Sequence, residues 1–264
     1  MSTSVYYIFL GVLPSIIWLL FYLRKDKNPE PNSTVLRLFL MGVLISPLAV
    51  ILEFILIGFA DPSIWSIFAI EPTTTNVLTD QNWYKVILIS ALIPALVEEY
   101  LKYSGARFKF IKNSDFDEPV DVMLYCIITA LGFAAVENLL VLFGLPQGTS
   151  LNEAVGISGL RFLGATLVHA LASGMAGYFL ALGLLNFTKR YRYIFTGLFV
   201  AILFHACYNY LIELISSASL NDSNMVAFYL YGLVALIILM ASVVSGSFLN
   251  LKKLSSVCKI KANK

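Results

Sequence analysis

Long apolar runs, separated by short polar connections, recur from one end of the chain to the other. A run of about 20 apolar residues is what an α-helix needs to cross the hydrocarbon core of a bilayer. In lipid, only helices or closed barrels satisfy every backbone polar group internally. The pattern predicts seven spanning helices at 5–23, 35–60, 84–110, 121–144, 157–185, 193–216 and 225–250. The fold class is therefore an all-α, polytopic helical bundle, a single transmembrane domain over 1–264. The first apolar run has no basic region before it and no small-residue cleavage site after it, so it reads as a retained span. The longest connection, 61–83, is rich in Pro, Thr and Asn and reads as an external loop.

Composition agrees. Of 264 residues, 59% are hydrophobic and only 13% charged, about half the charged share of a soluble domain. The net charge of +2 gives no reason to expect a nucleic-acid partner; the expected surroundings are the lipid bilayer. The basic residues carry topology instead. Arg24, Lys25 and Lys27 follow the first span, Arg107, Lys109 and Lys112 the third, and Lys189, Arg190 and Arg192 the fifth. The tail holds Lys252, Lys253, Lys259, Lys261 and Lys264. The alternate loops hold Asp61, Glu71, Asp80, Glu153 and Asp222. This alternation predicts an external N-terminus and a cytoplasmic C-terminus. Cys126, Cys207 and Cys258 have no metal or redox spacing.

The ionisable residues inside spans change the picture from architecture to chemistry. Glu98 and Glu99 lie midway along the third span. Glu137 lies about 24 Å in from the cytoplasmic side, and His169 and His205 about 18 Å from the outer and inner sides, at about 1.5 Å rise per residue. Four helices thus bring titratable groups to similar depths, and such groups are costly in a membrane and mark reaction centres or transport pathways. Lys102 is one helical turn from both Glu98 and Glu99. The two glutamates diverge by about 100°, so one faces a shared cavity and the other pairs with Lys102 or Arg161. His205 shares a face with Asn209, His169 with Ser173, and Glu137 is followed by Asn138. Glu53 and Glu213 read as a structural partner and an interfacial residue.

Peptide hydrolysis needs a buried water, a base to activate it and donors for the oxyanion. A glutamate can serve as base, an imidazole and the Asn209 amide as oxyanion donors, and the second imidazole as proton shuttle or water holder. Zinc is the rival arrangement, held by His169, His205 and Glu98 or Glu137, although no H-E-x-x-H helix supplies two ligands together. A proton-coupled transporter is a second rival, weakened by the lack of an internal repeat. A non-catalytic scaffold or sensor is a third.

Four motifs occur in order: Glu98-Glu99-Tyr-Leu-Lys102 as E-E-x-x-K, Gly132-Phe-Ala-Ala-Val-Glu137-Asn138 as G-F-A-x-x-E-N, His169-Ala-Leu-Ala-Ser173-Gly174 as H-x-x-x-S-G, and His205-Ala-Cys-Tyr-Asn209 as H-x-x-x-N. Over residues 90–210 they make the chain resemble the PrsW family of intramembrane proteases, distant relatives of CAAX prenyl endopeptidases and bacteriocin-processing enzymes. The resemblance implies a multi-pass peptidase of the bacterial cytoplasmic membrane. Its substrate would be a transmembrane protein, such as an anti-sigma factor cut at site 1. Carried over by motif, Glu98 and Glu99 are the catalytic glutamates, His169 and His205 complete the centre, and Asn209 assists. Lys102, Glu137, Asn138, Ser173 and Arg161 support it. The family has been described both as metalloproteases and as glutamic-type proteases. The expectation favoured here is the glutamic type without a metal cofactor, with zinc as the alternative.

Overall fold

The computed structural model describes residues 3–26, 28–61, 87–110, 118–218 and 223–262. Every regular element among them is helical. The helices are α1 (Thr3–Leu23), α2 (Asn32–Ala60), α3 (Ile93–Phe110), α4 (Pro119–Phe143), α5 (Leu151–Leu163), α6 (Ala165–Leu185), α7 (Arg190–Ala218) and α8 (Ser223–Ala262). A π-helical turn, Ile87–Leu92, leads into α3. Pro94 lies two residues past its end, and a proline without an N–H, crowding the preceding turn, favours such widening. Apart from Asp61, the loop expected over 61–83 lies outside the described residues.

Six stretches are long and apolar enough to cross a membrane: Ser4–Leu23, Asn32–Ala60, Pro119–Phe143, Leu151–Leu185, Phe187–Ser216 and Ser223–Leu254. They match six of the seven expected spans. The remaining one, 84–110, is helical from Ile87 to Phe110 and carries the buried charges Glu98, Glu99 and Lys102. The expected uninterrupted span 157–185 is divided. α5 ends at Leu163, Gly164 adopts φ −104° and ψ −100°, and α6 starts at Ala165. A Cβ on Gly164 would stand 2.6 Å from the Tyr208 hydroxyl, so at the break the backbone lies directly against a side chain of α7.

α4 is the centre of the bundle. It is apolar around its whole circumference, the pattern of a helix enclosed by others, and every residue from Pro119 to Ala135 is buried. Its start is fixed by Pro119 at the first helical position and by the Glu118 backbone N–H donating to Asp121 Oδ2 at 2.7 Å. α2 crosses α4 with backbones nearly touching. A Cβ on Gly42 would lie 2.0 Å from the Thr129 carbonyl oxygen, and one on Gly132 would lie 2.0 Å from that of Phe39. α6 presses on the other side, where a Cβ on Gly177 would lie 2.8 Å from Met123 Cα. Gly132 and Gly177 thus serve the close helix approach typical of membrane bundles. α1 is tied across by Trp18 Nε1 donating to the Phe162 carbonyl at 2.8 Å and Ser158 Oγ donating to that of Leu10 at 2.7 Å. Large apolar side chains such as Leu44, Phe59 and Phe195 point outward, as a lipid-facing surface requires.

Candidate active site

On α3, Lys102 follows Glu99 by three residues and Glu98 by four, so its side chain runs along the face that carries both carboxylates. Its Nζ lies 2.7 Å from Glu99 Oε1 and 3.3 Å from Glu98 Oε2. The same ammonium lies 2.8 Å from His169 Nδ1 and 4.8 Å from the centre of the Phe133 ring. Lys102 is fully buried. One cation therefore ties α3 to α6 through three partners, with an aromatic face beneath it.

The two histidines are oriented by different carboxylates. Nε2 of His169 is 2.6 Å from Glu137 Oε2. Since the Lys102 ammonium can only donate, Nδ1 of His169 accepts, and the ring proton sits on Nε2 and goes to Glu137. On α7, Nδ1 of His205 is 2.9 Å from Glu99 Oε1 and donates to it, which leaves Nε2 facing Glu98 Oε2 at 3.9 Å. Nδ1 of His169 approaches the same Glu98 oxygen at 3.5 Å. The imidazoles meet edge to face with centroids 4.9 Å apart.

The two adjacent glutamates thus have different surroundings. Glu99 is enclosed: it meets Lys102 and His205, and Ser173 Oγ donates to its Oε2 at 2.9 Å. Glu98 sits between both imidazoles and Lys102 and borders a cavity of about 400 Å³. That cavity is also bounded by Glu137, Arg161, His169, His205 and Asn209. Its rim includes Val50, Leu140, Val141 and Ile212 from α2, α4 and α7, all exposed on the lipid-facing surface.

Of the sequence-selected residues, Glu98, Glu99, Lys102, Glu137, His169, Ser173 and His205 form one connected cluster, with Asn209 on the cavity wall. The choice of partner for Lys102 does not arise, because it reaches both glutamates. Arg161 does not pair with either. It lies at the end of α5, just before the Gly164 break, and its Nη2 is 3.3 Å from Glu137 Oε2 while its Nε is 2.5 Å from Asn138 Oδ1. Asn138 stands outside the cluster as a brace, donating to Thr166 Oγ1 at 3.0 Å and to the Gly11 carbonyl at 3.2 Å. Glu53 has one carboxylate oxygen buried without a hydrogen bond. Tyr208 and Phe133 were not singled out in the sequence, although each lies within a motif. Tyr208 precedes Asn209 and borders the cavity; Phe133 follows Gly132.

Comparison with known proteins gives the family of the chain. A family model described as "PrsW family intramembrane metalloprotease" matches residues 30–242, which takes in every residue of the cluster. The chain belongs to the PrsW family. It is a multi-pass membrane protein of a family of intramembrane proteases. Among curated relatives, Protease PrsW of Geobacillus kaustophilus is 28% identical over 203 residues, covering 76% of this chain and 77% of that protein. Protease PrsW of Bacillus subtilis is 27% identical over 210 residues, 78% of this chain and 83% of the relative. That of Clostridioides difficile is 26% identical over 206 residues, 77% of each. No solved structure matches the chain significantly.

The family description raises a metal, and the donor set fits one. Glu98, His169 and His205 each offer a ligand atom, all within 4.8 Å of one another. The nitrogen that each imidazole turns away from Glu98 is bonded to a carboxylate, Glu137 for His169 and Glu99 for His205. Carboxylates in that position fix the tautomer and orientation of metal-binding histidines. Lys102 meets the same His169 nitrogen that such an ion would need.

Proposed function

We propose that this protein is an endopeptidase cleaving membrane-anchored proteins in the bacterial cytoplasmic membrane, with Glu98 as the group that activates water. The observation that carries this reading is the difference between the two glutamates. Glu99 is saturated by Lys102, His205 and Ser173, whereas Glu98 borders the cavity and is approached by both imidazoles. Substrate would enter sideways, past the apolar rim formed by α2, α4 and α7. A transmembrane anti-sigma factor, cut near its membrane end, is a substrate of the right class.

In this mechanism Glu98 takes a proton from water as the water oxygen bonds to the scissile carbonyl carbon. The Asn209 amide and Arg161 are placed on the cavity wall to donate to the oxyanion that forms. The tetrahedral species then collapses, the carbon–nitrogen bond breaks, and Glu98 returns the proton to the leaving nitrogen. His205, tethered by Glu99, holds the water through Nε2. His169, tethered by Glu137, is held by Lys102, which supplies fixed positive charge beside the glutamate pair.

The donor geometry also favours a second reading, a metal-dependent form of the same hydrolysis. A divalent ion held by Glu98, His169 and His205 would polarise the carbonyl and lower the barrier to forming hydroxide. Lys102 would then release Nδ1 of His169. The test is cleavage of a transmembrane substrate by purified protein, with and without a strong chelator, beside metal analysis of the same sample. Activity retained at zero bound metal supports the glutamate reading; activity that falls and returns in proportion to added zinc supports the metal. Full activity in Glu98→Gln would overturn both.

A further inference from the structure

A second cavity lies away from the cluster, between α1, α6 and α8. Its volume is about 460 Å³, within the range of about 300–1,000 Å³ typical of ligand pockets. Its walls are Trp18 and Phe21 from α1, Leu167 and Leu171 from α6, and Phe248 from α8. Two cations, Lys25 and Lys252, close one end. Both belong to the basic segments that the charge pattern assigns to the cytoplasmic face, and Lys252 Nζ donates to the backbone carbonyl of Lys25, which holds them together. The Lys25 ammonium lies 4.7 Å from the Phe21 ring centre. Among the described residues neither lysine is in an ion pair; Asp26, next to Lys25 in the chain, accepts from the Asn28 backbone N–H at 3.0 Å.

We propose that this cavity is a binding site for one anionic phospholipid, its acyl chain along the aromatic and aliphatic wall and its phosphate between Lys25 and Lys252. Charge complementarity carries the assignment. Basic pockets between transmembrane helices on the cytoplasmic side select anionic head groups, and the long apolar wall gives a free phosphate nothing to bind. The wall is continuous with the lipid-exposed surface, since Phe21 and Leu249 are exposed. The site also has a bearing on the centre. Leu167 and Leu171 flank His169 two residues to either side on α6, so the lipid packs on the back of the helix that presents that imidazole. The site does not depend on how the reaction at Glu98 proceeds.

The test is native mass spectrometry of the full-length protein in detergent, given phosphatidylglycerol and phosphatidylcholine of equal chain length. One phosphatidylglycerol should be retained, preferred over phosphatidylcholine by roughly thirtyfold, since each lysine near a membrane surface contributes about one factor of five to six. Lys25→Gln with Lys252→Gln should bring the two lipids to parity, while Lys25→Arg with Lys252→Arg keeps the preference and controls for folding. Ser245→Trp, which fills the cavity from α8, should abolish retention of either lipid with both lysines in place. Equal retention of the two lipids by the wild type, an undiminished preference in the double glutamine variant, or full retention in Ser245→Trp would each overturn the proposal.

Discussion

Replacing Lys102 by Met removes the one cation shared by Glu98, Glu99 and His169 while keeping an unbranched side chain only one atom shorter. The cluster holds three carboxylates, Glu98, Glu99 and Glu137, against two fixed cations, Lys102 and Arg161. After the substitution only Arg161 remains, and it sits on Glu137. Glu98 and Glu99 are left adjacent, both buried, without a counter-charge. Breaking a buried ion pair from one side costs about 3–5 kcal/mol because the orphaned charge stays in a poorly solvated place. The expected loss in Lys102→Met is therefore about 3–5 kcal/mol, read as reversible unfolding in mixed micelles titrated with denaturing detergent. The double variant Lys102→Met with Glu99→Gln removes one charge of each sign. It should recover most of that loss, since neutral replacement of a buried pair is often close to neutral. A single variant that loses under about 1 kcal/mol, or a double variant no more stable than the single, would refute the claim that Lys102 is the counter-charge of this pair.

Three further outcomes follow from the same geometry. Glu98→Gln should lower kcat for a transmembrane substrate by about 10²–10⁴-fold, the range for loss of a general base, with little change in unfolding; Glu99→Gln should lower stability as well as kcat, because three partners lose their acceptor charge, and identical behaviour of the two would argue against their division of roles. Gly132→Val should destabilise the bundle by at least about 1–3 kcal/mol, the usual cost of overpacking, whereas Gly156→Val, where nothing lies near an added Cβ, should be nearly silent in the same unfolding measurement. Trp18→Phe should cost about 1 kcal/mol through the lost bond to the Phe162 carbonyl, and equal stability of variant and parent in that assay would mean the bond contributes nothing.

The hydrophobic pattern was enough to place the helices because membrane spans are constrained by length and by backbone satisfaction, both of which act locally. The depth argument brought Glu98, His169 and His205 to one level for the same reason: rise per residue is fixed. Rotation about the helix axis was only half legible. Spacing showed that Lys102 could reach both glutamates, but not that Glu99 would be enclosed and Glu98 left on the cavity, which depends on Ser173 and His205 arriving from other helices. The break at Gly164 was missed because glycine inside an apolar run reads as a packing residue, and the space that demands the break is filled by Tyr208, more than forty positions away. Spacing left Lys102 and Arg161 as alternatives for one of the two glutamates; Lys102 takes that place, and Arg161 meets Glu137 from another helix. The crossing of Gly42 and Gly132 required a pairing of α2 with α4 that no local pattern specifies.

Arg161 and His169 stand on opposite sides of Gly164, yet both grip Glu137 Oε2. The carboxylate is thus a clasp between two segments of one interrupted helix. Any displacement of α5 relative to α6, such as a pull on the connection that precedes Leu151, is transmitted to Glu137 within one side-chain length, and from there to the imidazole it steadies.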